Sequence, residues 1–254
     1  MTVRTDVAIA AYLRRSITMG REHERIGPFT ASYSRSSRNP FLNYAIPDDG
    51  ARPTAADVAA LAAAYQGRGL DPRLEYLPSL APAFEAALLG AGFAAEGRLV
   101  LMAPGDARPR PLPAGIELRA PTTDDDLHDV RLVQHEAYED PDPVDDATVA
   151  RLRANLAGGA GAVLARSIDE GTPVGAGEHT EPLDGVCEIT SIAVRAPWRR
   201  RGIATAISAR LLADVMAAGV TSPFLMANTG ESRVYAGVGF KPIGEVLHIS
   251  LART

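Results

Sequence analysis

Apolar residues return at helical spacing over Ile203, Ile207, Leu211, Leu212 and Val215, which predicts a helix opening near Gly202. The same reading predicts a helix from Thr123 to about Glu136, with Thr122 or Thr123 as N-cap and Asp124 to Asp126 in its first turn. Another is expected from about Ala147 to Leu156, and a short one over Ser232–Gly237. Short apolar or alternating runs predict strands at Ile116–Arg119, Ala162–Ile168, Val174–Thr180, Val186–Val194, Pro223–Ala227 and Phe240–Leu251. The early run Val7–Leu13 stops at Arg14–Arg15 and reads as a helix face, too short for a membrane span or a leader.

Strands and helices therefore mix throughout, an α/β (α+β) pattern. The stretch "APGDARPRPLPAG", Ala103 to Gly115, has no period and reads as a crossing between two halves. The halves end alike: "GFAAEGRLVLM" starts at Gly92 and "GFKPIGEVLHI" at Gly239. Before each ending lie a helix (Thr54–Gln66 or Gly202–Ala218), a short strand and a second helix. The shared order implies an internal duplication, with domains expected over 1–105 and 113–254.

Composition narrows the class. The 254-residue chain is 46% hydrophobic and 22% charged, the balance of a globular protein that can bury a core in each half. A net charge of −5 argues against wholesale binding to nucleic acid or an anionic membrane, so any basic site is local. Cys187 is the only cysteine, which rules out an intrachain disulfide and fits a reducing cytoplasm.

One local feature runs against simple electrostatics. Arg199, Arg200 and Arg201 crowd the start of the Gly202 helix, the end where the helix dipole disfavours cations. A bound pyrophosphate resolves the conflict, because it accepts the free N–H groups of the first turn and neutralises the guanidiniums. Gly202 and Ala204 leave the backbone open to such a close approach.

The string Arg199-Arg200-Arg201-Gly202-Ile203-Ala204 resembles the Arg/Gln-x-x-Gly-x-Gly/Ala signature of the GNAT superfamily of N-acetyltransferases. The preceding "CEITSIAV" resembles that family's strand before the signature, and "NTGESRVYAGVGF" its Asn…Tyr-x-x-x-Gly-Phe ending. The resemblance covers about Ile116 to Leu251. It implies a tandem GNAT-like fold, with a mixed, mostly antiparallel sheet flanked by helices in each half, and acetyl-CoA as the acyl donor, with CoA as product. Arg199 to Ala204, including Ile203, would then cradle the pyrophosphate. Backbone groups of Ile192, Ala193 and Val194 would pair with the pantetheine, the Val194 N–H bonding the thioester carbonyl. Asn228 and Ser232 would contact the CoA arm or its adenosine end, unless one of them is the N-cap of the helix beside it.

The same resemblance makes Tyr235 the candidate general acid for the departing thiolate, against a packing role. Glu188 is the candidate base. In a regular strand it shares a face with Thr190, Ile192 and Val194, a parity that a bulge would reverse. Glu178 and His179, on the neighbouring strand, are rivals for that task. Cys187 has the opposite parity and no nearby His, so it reads as packing, not as an acetyl carrier. "HEAYEDPDPVDD", His135 to Asp146, carries six carboxylates and no Lys or Arg. In similar proteins this region lines the acceptor site, and Tyr138 is its residue to test. The acceptor expected is a primary amine on a small molecule or peptide. Neither nucleic acid nor membrane is an expected partner, and homodimerisation stays open. A non-catalytic acyl-CoA sensor is the alternative.

The first half has no arginine–glycine turn. Thr54 and Asp57 make a capping-box start, Asp48 and Asp49 stand where phosphates would be needed, and Leu88 takes the place of Tyr235. It is expected to be a degenerate GNAT-like domain without a cofactor site. Tyr12, Tyr33 and Tyr44 are expected in its core.

Overall fold

The computed structural model describes residues 4–35, 37–106, 110–140 and 143–252. The middle of the expected crossing, 107–109, and residues 141–142 of the acidic loop lie outside that set. The first half runs α1 (Thr5–Ser16), β1 (Glu22–Ile26), β2 (Phe29–Tyr33), β3 (Ala45–Pro47), α2 (Ala55–Gln66), β4 (Arg73–Tyr76), α3 (Phe84–Gly90) and β5 (Ala94–Pro104). The second half runs β6 (Ile116–Arg119), α4 (Asp124–Tyr138), α5 (Asp146–Ala157), β7 (Gly161–Ser167), β8 (Pro173–His179) and β9 (Val186–Val194). It continues with α6 (Ile203–Ala217), β10 (Ser222–Ala227), α7 (Ser232–Val238) and β11 (Phe240–Ser250). The second-half elements lie where they are expected, whereas β1, β2 and β3 of the first half are not among the strands the sequence predicts; the arrangement is largely antiparallel and flanked by helices.

The chain divides into two compact units. One comprises residues 1–101, 226–229 and 243–254, the other 102–225 and 230–242. Most of the closing strand of the sequence thus lies in the first unit. There the strand order is β1-β2-β3-β4-β11-β5, with β11 antiparallel to β4 through Leu247–Tyr76, His248–Glu75, Ile249–Leu74 and Ser250–Arg73. The core of this unit is aromatic. Phe29 and Phe84 meet edge to face with centroids 5.4 Å apart, and Tyr33 lies 4.9 Å from Tyr65. Tyr12, Tyr33 and Tyr44 are all buried, as expected. α2 opens on a complete capping box: Thr54 accepts from the Asp57 N–H, and the Asp57 carboxylate accepts from the Thr54 N–H. Asp48 and Asp49 form ion pairs with Arg25 and Arg14.

In the second unit the order is β10-β9-β8-β7-β6. Antiparallel pairs join β6 to β9, and β10 joins β9 in parallel. α4 starts on a second capping box, Thr123 with Asp126, which settles the N-cap on Thr123. One sheet face carries α4 and α5, whose Leu127, Val130, Val133, Val149 and Leu152 pack on Leu164, Ala176 and Ala193. The other carries α6. Gly175 and Gly177 let it approach: a Cβ on Gly177 would stand 2.6 Å from Ile207 and 3.0 Å from Leu211. No described helix is long and apolar enough to cross a membrane.

Candidate acyl-CoA site in the second unit

The site starts where two parallel strands part. The pairing of β9 with β10 runs through Val186–Ser222, Cys187–Pro223 and Glu188–Phe224 and goes no further. Beyond Glu188, β9 keeps β8 as a neighbour, but side chains meet the carbonyls of Ser191, Ile192 and Val194. Gln134 donates to Ser191 at 3.1 Å, the Tyr138 hydroxyl to Ile192 at 3.1 Å, and the Arg199 Nε to Val194 at 3.0 Å. The Arg195 N–H bonds the Val174 carbonyl on β8, so alternation turns the Val194 N–H to the open edge. An extended ligand can pair with such an edge as a missing strand would.

A bulge reverses the expected parity of β9. Glu178 pairs with Thr190 and Ala176 with Ala193, so β9 carries one extra residue between these pairs. Ser191 absorbs it in a left-handed conformation, φ 56°. Glu188 and Thr190 therefore share the α4 face with Glu178, whereas the Ile192 side chain lies beside Gly177 on the α6 face. The expectation that Glu188 shares a face with Ile192 and Val194 is corrected: the extra residue flips everything after Ser191. Glu188 is half-buried, and its N–H donates to Thr180 Oγ1 at 2.8 Å.

Its rivals are engaged elsewhere. The Glu178 carboxylate accepts from Arg131 and from Gln134, each at 2.7 Å. His179 pairs with Ile189, so it faces away from Glu188; its Nδ1 lies 2.9 Å from the Thr180 carbonyl, and its ring covers Gly161. Cys187 is buried, and burial followed by the Glu188 charge raises its thiol to about 12, far from a nucleophilic thiolate at neutral pH.

From Val194 the chain passes a 3₁₀ turn, Ala196–Trp198, and reaches α6 through two left-handed residues, Arg200 at φ 64° and Gly202 at φ 83°. Gly202 is the N-cap of α6. It offers no side-chain cap, and the first turn holds no acidic residue. The N–H groups of that turn are left for an outside acceptor, in contrast to the capped start of α2. Two of the arginines bind the turn itself: Arg199 through Val194, and Arg201 through the Pro197 carbonyl at 3.0 Å and over the Trp198 ring at 4.7 Å. Arg200, exposed, has no partner among the described residues.

Tyr235 stands half-buried on α7. Burial, then the neighbouring Glu231 charge, raises its phenol to about 12. Tyr138 is 57% exposed as a residue, yet its hydroxyl end lies within electrostatic reach of Tyr235, Glu231 and Glu178. The end of α4 and α7 thus face one mouth. The N-cap of α7 is Glu231, so neither Ser232, its first residue, nor the exposed Asn228 has that role. Of the acidic stretch His135–Asp146, Glu136 on α4 pairs with Arg195 at 2.7 Å, and Asp145 caps α5 by accepting from Thr148. Gln134, Arg131 and the Ser191 turn escaped the sequence reading. The one available signal was a polar pair, i and i+3, flanking the apolar stripe Leu127–Val130–Val133.

Comparison with known proteins bears on this arrangement. Residues 126–240 match the acetyltransferase (GNAT) family. A GCN5-related N-acetyltransferase from Kribbella flavida is similar over 100% of this chain and 98% of its own, at 20% identity and TM-score 0.82. A second GCN5-related N-acetyltransferase, from Sphaerobacter thermophilus, is similar over 72% of this chain and 61% of its own, at 22% identity and TM-score 0.59. A tandem GNAT protein from the clavulanic acid biosynthesis pathway is similar over 89% and 79%, at 16% identity and TM-score 0.61. At these identities the likeness is one of fold. No curated protein matches the chain. The segment 126–240, which holds the parted strands, the uncapped helix and Tyr235, is thus the part of the chain that matches the GNAT acetyltransferase family.

Proposed function

We propose that the second unit binds acetyl-CoA and passes its acetyl group to a primary amine by direct attack in a ternary complex. One observation carries the reading: β9 parts from β10 after Glu188, and the chain then leads through Val194 to the uncapped start of α6. Pantetheine amides fit the open edge at Ile192–Val194, and the pyrophosphate fits the N–H groups of Gly202, Ile203 and Ala204 with Arg200 beside them. Ser232, the first residue of α7, contacts the arm. In the chemical step the amine nitrogen attacks the thioester carbon and the C–S bond breaks. The amine proton leaves towards Glu188 through water, and Tyr235 donates to the departing sulfur. The first half acts as a degenerate GNAT-like partner without a cofactor site, and the protein works in the cytoplasm.

Titration calorimetry with CoA tests the reading. Saturable binding is expected, and CoA at a hundred times its Kd adds about 2.7 kcal/mol to stability against unfolding. No heat and no saturation would end the assignment. Binding without thiol release across an amine panel would make the protein a sensor.

A second prediction concerns Tyr138. Its hydroxyl holds the Ile192 carbonyl on the open edge, so an arm pairing there has to displace it. A hydrogen bond is worth about 0.5–1.5 kcal/mol net, so Tyr138→Phe should tighten CoA binding by roughly twofold to tenfold. Weaker binding in the same titration would instead make Tyr138 a contact to the ligand.

A further inference from the structure

A left-handed serine inside a strand needs something to hold it, because L side chains rarely adopt that conformation. At Ser191 the restraint comes from α4. The Gln134 amide is 5% exposed, and each of its polar hydrogens and its oxygen has a partner. Nε2 donates to the Ser191 carbonyl at 3.1 Å and to Glu178 Oε1 at 2.7 Å, while Oε1 accepts from Arg131 at 2.8 Å. Turning the amide over would set its oxygen against two acceptors, so the network fixes one orientation. Glu178, 8% exposed, is fixed in turn by Arg131, which reaches Oε1 at 2.7 Å and Oε2 at 3.4 Å. Elsewhere α4 meets the sheet through apolar Leu127, Val130 and Val133, through Asp126 and Asp129, which pair with Arg166 on β7, and through Tyr138 on the Ile192 carbonyl. Among these contacts, the Gln134 amide is the one that meets the carbonyl of the left-handed residue, Ser191.

We propose that Gln134, oriented by Arg131 and Glu178, is a positioning residue that locks the Ser191 bulge and so sets the edge that Ile192 and Val194 present to the acyl donor. The proposal rests on the reading of β9 as the donor-binding edge. It assigns Gln134 no contact with substrate. Its action passes through the Ser191 carbonyl, and any loss should fall on donor binding and turnover, not on the amine.

Three variants test it: Gln134→Leu, which removes the donor; Gln134→Glu, which keeps the shape but cannot donate; and Val133→Ala, which loosens the same helix face without touching Ser191. Amide hydrogen exchange is read in the free protein over residues 189–194 and, for reference, over 161–167. Calorimetry gives the CoA Kd, and steady-state kinetics give KM for acetyl-CoA and for the amine. For Gln134→Leu and Gln134→Glu, exchange over 189–194 should quicken about tenfold relative to 161–167 and the CoA Kd rise about tenfold, with the amine KM unchanged. Val133→Ala should move both segments together. Unchanged exchange in the Gln134 variants, or loosening of both segments alike, overturns the proposal. So does selective loosening with a CoA Kd within about twofold of wild type. Failure of the functional reading looks different, since the unaltered protein itself would then take up no CoA.

Discussion

Replacing Tyr235 with phenylalanine should lower kcat by about 10²–10⁴-fold, the range of a positioned proton donor, while the CoA Kd moves by less than about threefold. The ring stays and only the hydroxyl goes, so packing on α7 is preserved. The phenol sits half-buried, and burial followed by Glu231 raises it to about 12. A phenol raised in this way is fully protonated below that value and loses its proton only as the pH climbs through it. The donor is therefore present across the whole neutral range, and kcat should show no alkaline fall from this group below about pH 10. The same value shapes the chemistry. An alkyl thiol ionises near about 8.5, so handing the whole proton to a thiolate from a phenol at about 12 is uphill. Tyr235 then acts by hydrogen-bonding the charge that grows on sulfur, with transfer completed as the amine loses its own proton. Steady-state thiol release at saturating substrates measures kcat, and calorimetry measures binding. Equal losses in both would reduce Tyr235 to a packing residue.

Much of this site can be read in the sequence because its causes are local. The capping boxes at Thr54–Asp57 and Thr123–Asp126 depend on residues three apart. The uncapped start of α6 follows from Gly202 and the lack of an acid in the next turn. β9 is found with the expected bounds, since an apolar run of that length between turns has few other readings. What the sequence hides is set at a distance. The bulge has no signature, as Ser191 is an ordinary residue in a left-handed conformation whose carbonyl meets a partner 57 positions away on α4. Two of the three arginines are spent on the carbonyls of Val194 and Pro197, which charge counting could not reveal. The fate of Glu178 depends on Arg131, 47 positions earlier. The closing strand is the largest case: its alternation predicts a strand and says nothing about which neighbours it takes.

That strand carries the second large effect. A fragment ending at residue 105, where the sequence suggests a boundary, should fail to fold cooperatively. In the first unit β11 stands between β4 and β5, so the fragment lacks a strand from within its sheet. The loss is both apolar and polar. Val246, Leu247 and Ile249 are essentially buried, and Leu247 and Ile249 lie opposite Tyr76 and Leu74. His248 Nδ1 lies 3.2 Å from Arg73, a guanidinium only 1% exposed that also binds Glu75 and Glu96. Without β11 the β4 backbone loses an antiparallel ladder, and the Arg73 cluster opens to water. In the intact chain, Leu247→Ala alone should cost about 2–5 kcal/mol, as for other large-to-small changes in a packed core. Urea unfolding followed by tyrosine fluorescence measures both effects. The fragment should show a shallow, non-cooperative change, and a peptide of residues 243–252 added in trans should restore a sigmoidal transition. A fragment that already unfolds cooperatively without the peptide would mean that β5 can close the sheet alone, and that β11 stabilises this unit without being required to form it.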